Sequence, residues 1–292
     1  MSQPTVSKES QALLSALNSQ REHVLGILTG NRRGTGLPPG NRIAAGTPRG
    51  DHGLVFTESA AWYDKFQAGK DYAGEARQIT GLVHRYQPRA RTLLDVACGT
   101  GLHLRYLRSA FTCHGLDLDD GLLAVARSRL PGVPLTRADM AGFDLGQRFD
   151  AVTCLFSSIG YMVTTQRLHA AVAAMARHLS PGGVLLIEPW ILPDAWPKFD
   201  GKSHADVVHD GESTLVRVRT NRRSGAITEL LMHYVAAGHG QITTADEVHR
   251  VRLFARAEYL AAATAAGLQA EWDPDGISGR GLLLARRVPA AA

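Results

Sequence analysis

The sequence is poor in cysteine. Its three, Cys98, Cys113 and Cys154, lie in or beside apolar stretches and show no metal-ligand spacing, which argues against a disulfide framework and a metal site and for buried, reduced thiols. Long apolar runs are missing too: none approaches the roughly 18 uninterrupted residues that a spanning helix needs. The first residues hold no basic segment followed by an apolar core, so the expectation is a cytoplasmic protein with no membrane partner. Nor is there an excess of one charge. The formal net charge is +5, but residues 1–54 carry Lys8, Arg21, Arg32, Arg33, Arg42 and Arg49 against Glu9, Glu22 and Asp51, a surplus of three that leaves two for the rest. A nearly neutral body without a basic, aromatic-interleaved stretch argues against a nucleic-acid partner. What is present, 45% apolar and 20% charged residues over 292 positions, suits a globular chain with a sizeable core.

The organising stretch is Leu93-Leu94-Asp95-Val96-Ala97-Cys98-Gly99-Thr100-Gly101. An apolar run ends near an acid, two glycines follow one residue apart, and helical spacing resumes over residues 102–111, which predicts strand, tight turn, helix. Glycines there allow close backbone approach to a ligand. The third glycine of the dinucleotide fingerprint is absent, with His103 and Leu104 where the pattern would continue, so a nucleoside without a pyrophosphate is the better expectation.

Further acids follow in order. Cys113-His114-Gly115-Leu116-Asp117-Leu118 predicts a second strand ending in Asp117, placed to accept from two ribose hydroxyls. Leu135-Thr136-Arg137-Ala138-Asp139-Met140 predicts a third, with Asp139 able to receive an exocyclic adenine N–H. Residues 149–156 predict a fourth strand, with Asp150 at its far end as a structural residue. Residues 166–178 predict a helix that Pro181-Gly182-Gly183 ends before a fifth strand running to Trp190. Alternation of strand and helix implies right-handed crossovers and a parallel, doubly wound sheet, with ligands at the carboxyl ends of its strands.

This series of motifs resembles the class I S-adenosylmethionine-dependent methyltransferases. Trp62-Tyr63-Asp64-Lys65-Phe66, Gly69-Lys70-Asp71-Tyr72-Ala73, residues 93–101, Phe156-Ser157-Ser158-Ile159-Gly160-Tyr161, Glu188-Pro189-Trp190, Ala205-Asp206-Val207-Val208 and Ser278-Gly279-Arg280-Gly281-Leu282 are similar to the sugar N,N-dimethyltransferases of desosamine and mycaminose formation, over roughly residues 55–287. The connection Gln67-Ala68 departs from them in being shorter. The resemblance implies an α/β fold, a doubly wound Rossmann-like methyltransferase sheet with a small antiparallel β insertion near the C-terminus. It implies S-adenosyl-L-methionine as cofactor, its amino acid portion at Asp95, Ala97, Gly99, Thr100 and Gly101, its ribose at Asp117 and Leu118, its adenine at Asp139 and Met140, and Phe156 against the base. Tyr63, Tyr72 and Glu188 become candidates for catalysis. Tyr161, Trp190 and Arg280 become candidates for binding a small-molecule acceptor, an amino sugar or related metabolite, in a homodimer.

Elsewhere the pattern predicts an amphipathic helix over residues 9–28, a Gly/Pro/Arg-rich disordered linker up to residue 54, and helices over 59–67 and 72–86. Residues 203–255 show β-like alternation broken at Asp210-Gly211, 222–225 and 238–240, an antiparallel meander inserted into the domain spanning 55–292. A helix over 258–266 and a strand over 281–287 follow. For Trp62, Tyr63 and Phe66, packing of their helix is the competing explanation. His204, His209, His233 and His249 in the meander keep O-methylation open, since an alcohol needs a positioned base where an amine needs little. C-methylation, methylation of a macromolecule recruited by the Arg-bearing N-terminal stretch, and non-catalytic binding of the cofactor stay open as well.

Overall fold

The computed structural model describes residues 59–288; the expectations for residues 9–28 and for the linker up to 54 lie outside them. Among the described residues six α-helices, α1 (Ala60–Phe66), α2 (Tyr72–Tyr86), α3 (Leu102–Leu107), α4 (Asp120–Arg129), α5 (Thr165–Arg177) and α6 (Arg256–Ala265), accompany eleven strands. The strands are β1 (Thr92–Val96), β2 (Thr112–Asp117), β3 (Leu135–Arg137), β4 (Phe149–Cys154), β5 (Leu179–Ile187), β6 (Ser203–Asp210), β7 (Ser213–Ser224), β8 (Ile227–Gly238), β9 (Gln241–Arg252), β10 (Gln269–Asp273) and β11 (Leu282–Arg286).

Seven strands form one sheet in the order β10-β11-β5-β4-β1-β2-β3. Pairing is parallel from β3 to β5, while β11 runs antiparallel to both β5 and β10. Neighbouring residues of each strand point to opposite faces. Leu94, Val152, Leu185 and Leu283 therefore join the core beneath α5 and α6, and Leu93, Ala151, Val184 and Leu282 the core beneath α2 to α4. This is the doubly wound arrangement expected. The strand order reverses between β1 and β4, so the crevice for a ligand opens at their carboxyl ends. Asp150, at the opposite end, binds β4 to β1: its Oδ2 accepts from the backbone N–H groups of Arg91 (2.8 Å) and Thr92 (3.0 Å).

Two local expectations are corrected, and one strand was not expected. The helix after the glycine turn stops at Leu107 instead of reaching residue 111, because Thr112 N–H already donates to Arg91 O at 2.7 Å to start β2. Pro181-Gly182-Gly183 does not end α5, which stops at Arg177; it lies within β5, where pairing with β4 jumps from Phe149↔Leu179 to Ala151↔Val184. Gly182 takes φ +79° there and donates to Arg287 O at 2.8 Å, so the glycine serves an irregularity of the strand. Strand β10 lacks clean alternation, and the sequence pattern does not predict it.

The second sheet, β6-β7-β8-β9, is fully antiparallel, as the meander predicts, with turns at Gly211, Gly225 and Gly240. Register places Arg217, Tyr234 and Ala245 side by side on one face, with Glu247, His249 and Val251 continuing along β9. This face is largely buried. The other carries Val207, Val248 and Ile242 at 57%, 52% and 75% exposure.

Candidate active site

Strand ends build the first half of the site. Asp95, in β1, is buried and accepts from Thr153 Oγ1 at 2.8 Å. Burial pushes its carboxyl up to about 6 against the opposing pull of His103 and the Thr153 hydrogen bond. The turn after β1 passes through positive φ at Ala97, Gly99 and Gly101. Asp117, ending β2, clasps this turn: Oδ2 accepts from Gly99 N–H at 2.8 Å and Oδ1 from Asp119 N–H at 2.9 Å. Burial raises its pKa, and the backbone donors oppose that rise. A carboxylate offers about four lone-pair sites, so it can accept from a ligand as well.

Helix α1 closes over the turn. Thr100 Oγ1 donates to Asp64 at 2.6 Å, and Arg129 bonds both Asp64 and Thr100 O. In the first turn of α2, Glu75 receives Lys70 and His103, the latter at 2.7 Å; burial works against its ionisation, but these two partners leave its pKa lowered. Tyr63, Tyr72, Asp95, Gly99, Thr100, His103 and Phe156 line one cavity. A Cβ built on Gly99 meets nothing within 4 Å, so the open backbone of the turn faces free space, as a cradle for a ligand requires. The donor set fits the expected cofactor.

The second half is assembled from distant segments. Phe156 and Ser157 follow β4 with φ of +51° and +72°, left-handed backbone that costs side-chain-bearing residues about 1–3 kcal/mol each and is held by surrounding contacts. Phe156 N–H donates to Glu188 Oε2 at 2.7 Å, Ser157 Oγ donates to Pro189 O at 3.1 Å, and Arg280 donates to Ser157 Oγ at 2.5 Å. The Phe156 ring lies 4.8 Å from Lys70 Nζ and 5.5 Å from the Arg280 guanidinium, which is 5.9 Å from Trp190. Tyr161, on the 3₁₀ turn Ser158–Met162, meets His249 Nδ1 at 2.7 Å. The hydroxyls of Tyr63, Tyr72 and Tyr161 all lie in buried surroundings that raise their pKa values, Tyr63 feeling Tyr72, Tyr161 and Asp117.

Most of the expected residues therefore converge. Others sit apart. Asp139 holds Arg167 through both oxygens (2.7 and 3.0 Å) and accepts from Ala141 N–H; Met140 is in the core and Leu118 is 40% exposed. Glu188 is fully buried, with one oxygen on Phe156 N–H and the other on Ser278, the position of a clamp between two loops. Trp62 and Phe66 pack on Tyr234 of the small sheet, at 6.1 and 5.9 Å. Sequence reasoning missed the Lys70–Glu75–His103 and Asp64–Thr100–Arg129 networks and the Tyr161–His249 contact. Asp64, Lys70, Thr100 and Tyr161 stand within recognisable motifs, but Glu75 and Arg129 carry no local signal, and nothing in the chain order marks which partner each motif residue takes.

Residues 93–183 match the family described as methyltransferase domain. The chain is 46% identical over 229 residues to the dTDP-3-amino-3,6-dideoxy-alpha-D-glucopyranose N,N-dimethyltransferase of Streptomyces fradiae, covering 77% of this chain and 89% of that protein. Among solved structures it is similar to DesVI of Streptomyces venezuelae, with TM-score 0.75, 46% identity and coverage of 80% and 99%. It is also similar to SAM-bound CalS10, an amino pentose methyltransferase of Micromonospora echinaspora, with TM-score 0.71, 39% identity and coverage of 82% and 100%. No helix among the described residues is long and apolar enough to cross a membrane. A glycine cradle at the reversal of strand order, clasped by a strand-end acid, and an identity of this extent place the chain: it belongs to the S-adenosylmethionine-dependent methyltransferase family that contains the sugar N,N-dimethyltransferases.

Proposed function

We propose that this enzyme methylates the amino nitrogen of a nucleotide-linked deoxy amino sugar in antibiotic formation. The observation that carries the reading is the 46% identity across 89% of an N,N-dimethyltransferase whose name specifies a dTDP-3-amino sugar. S-adenosylmethionine, when bound, supplies a methyl group already activated on a sulfonium, so the protein's tasks are alignment and exclusion of water. Asp117 is assigned to the ribose hydroxyls and the turn from Asp95 to Gly101 to the amino acid portion. Tyr63, Tyr72 and Tyr161 border the acceptor, and Arg280, fixed on Ser157, faces the diphosphate, for which a guanidinium is suited.

Residues 55–292 are assigned to one cytoplasmic methyltransferase domain carrying 203–255 as an insertion. A homodimer would bury the outer face of the small sheet, where Val207, Val248 and Ile242 are exposed; sedimentation of the Val248→Glu variant as monomer would support it. The functional test is incubation of the full chain with S-adenosylmethionine and dTDP-3-amino-3,6-dideoxyglucose, followed by mass spectrometry. Products one and two methyl groups heavier are expected. Cofactor binding without methylation of any amino sugar would overturn the reading.

A further inference from the structure

Behind the acceptor wall lies a second line of titratable groups. Tyr161 is partly exposed, whereas the two residues that follow it inward, His249 and Glu247, keep only 3% and 4% of their side chains accessible. The Tyr161 hydroxyl is 2.7 Å from His249 Nδ1, and His249 Nε2 is 3.3 Å from Glu247 Oε2. Both inner residues stand on the same face of β9, two positions apart, so the small sheet delivers an acid and an imidazole in line with a tyrosine of the large domain.

The donors can be ordered. An ionised carboxylate only accepts, so with Glu247 ionised Nε2 carries the imidazole hydrogen, Nδ1 presents a lone pair, and the Tyr161 hydroxyl donates to it. With its hydrogen directed backwards, the Tyr161 oxygen turns lone pairs towards the chamber. Tyr63, Tyr234 and Asp117 lie around Tyr161, and Tyr234, with Arg217 near it, lies beside Glu247.

We infer that Tyr161, His249 and Glu247 form a proton relay that removes the hydrogen left on the acceptor nitrogen after each methyl transfer. The inference rests on the N-methylation reading. An amine that has gained a methyl group is an ammonium, and a second transfer requires its lone pair back. In the step, the N–H bond breaks with its electron pair staying on nitrogen. Tyr161 Oη takes that proton as its own moves to His249 Nδ1, and the imidazolium is held opposite the Glu247 carboxylate until solvent takes the proton. Tyr161 touches the acceptor; His249 and Glu247 are positioning residues that act through it.

The test compares the full chain with its Glu247→Gln, His249→Gln and Tyr161→Phe variants on dTDP-3-amino-3,6-dideoxyglucose, near neutral pH and about two units higher, where solvent deprotonates the amine unaided. Near neutrality the second transfer is expected to slow about tenfold or more, with monomethylated product accumulating. At the higher pH the deficit shrinks, and the dissociation constant for S-adenosylmethionine stays unchanged by calorimetry. An equal loss at both pH values, with cofactor binding retained, overturns the relay and leaves a structural role. A second readout is independent of substrate: in ¹⁵N-histidine spectra of the full chain, with His249 assigned by its own substitution, the Nε2–H tautomer is expected and its Nδ1 resonance moves in Tyr161→Phe. An Nδ1–H tautomer, or a resonance indifferent to Tyr161→Phe, overturns the relay. If the wild-type chain methylates no amino sugar, it is the functional reading that fails, and the ring spectrum alone decides whether the relay geometry exists.

Discussion

The two halves of the site are held together by different means. On the side we assign to the cofactor, neighbouring parallel strands bring their carboxyl ends to one edge, and the decisive bonds use backbone: Asp117 takes the N–H groups of Gly99 and Asp119. On the side we assign to the acceptor, side chains from far along the chain meet singly, Tyr161 with His249 and Arg280 with Ser157. The first half inherits its geometry from topology. The second depends on how the small sheet and the loop around residue 278 dock, which is where enzymes sharing a cofactor can diverge in acceptor.

If that division holds, substitutions should separate cofactor affinity from acceptor affinity. The largest effect belongs to Asp117→Ala. It removes one buried charged acceptor from two backbone donors and from the ribose, and bonds to charged groups are worth about 1.5–3 kcal/mol each. Affinity for S-adenosylmethionine should fall at least about 100-fold, at roughly 1.4 kcal/mol per tenfold; near-normal calorimetric binding would remove Asp117 from its assigned place. Next comes Arg280→Ala, expected to raise KM for the nucleotide-linked sugar about 10-fold or more while sparing the cofactor dissociation constant. Parallel losses in both would mean that the halves are one unit.

The difference also explains what was legible. Strands β1 to β5, the glycine turn and Asp117 could be read because alternation and order determine a doubly wound sheet, and the sheet determines which ends meet. Asp150 could be assigned to structure for the same reason, since it starts its strand. Pro181-Gly182-Gly183 misled because a helix stop and a strand irregularity use the same residues. The pairing of Asp64 with Arg129, or of Tyr161 with His249, was not legible: each joins surfaces that meet only after elements pack, and no spacing within either segment encodes the partner. His249 was one of five histidines in residues 203–255, and its burial and its contact with Tyr161 emerge only in the fold.

A stability measurement sharpens the comparison from the cofactor side. The folded Asp95 carboxyl keeps its proton up to about 6, against an ordinary value of 3.8. The unfolded chain therefore binds fewer protons between those values, and stability falls as pH rises through this window. Above it the ionised, buried group destabilises the fold by an amount on the order of 3 kcal/mol, at about 1.4 kcal/mol per unit. Asp95→Asn, whose amide oxygen can still accept from Thr153, should raise Tm near neutral pH, and the gain should fade as pH falls through the window. A pH-independent difference would mean that this strand-end acid is not held at the expense of stability.

The smallest effect tests the boundary between the halves. Tyr72 begins α2 with Asp71 as its cap, lies almost wholly buried, and meets the His103 ring edge-on at 4.8 Å. Phenylalanine preserves that packing and removes only the hydroxyl, whose pKa burial and nearby Glu75 and Asp64 raise. That hydroxyl is a neutral donor throughout the working range, so Tyr72→Phe should lower kcat a few-fold without moving cofactor affinity or the shape of the pH profile. Steady-state kinetics beside calorimetry decide the matter. A changed dissociation constant for S-adenosylmethionine would place Tyr72 with the cofactor, and the boundary would then run between α2 and Tyr161.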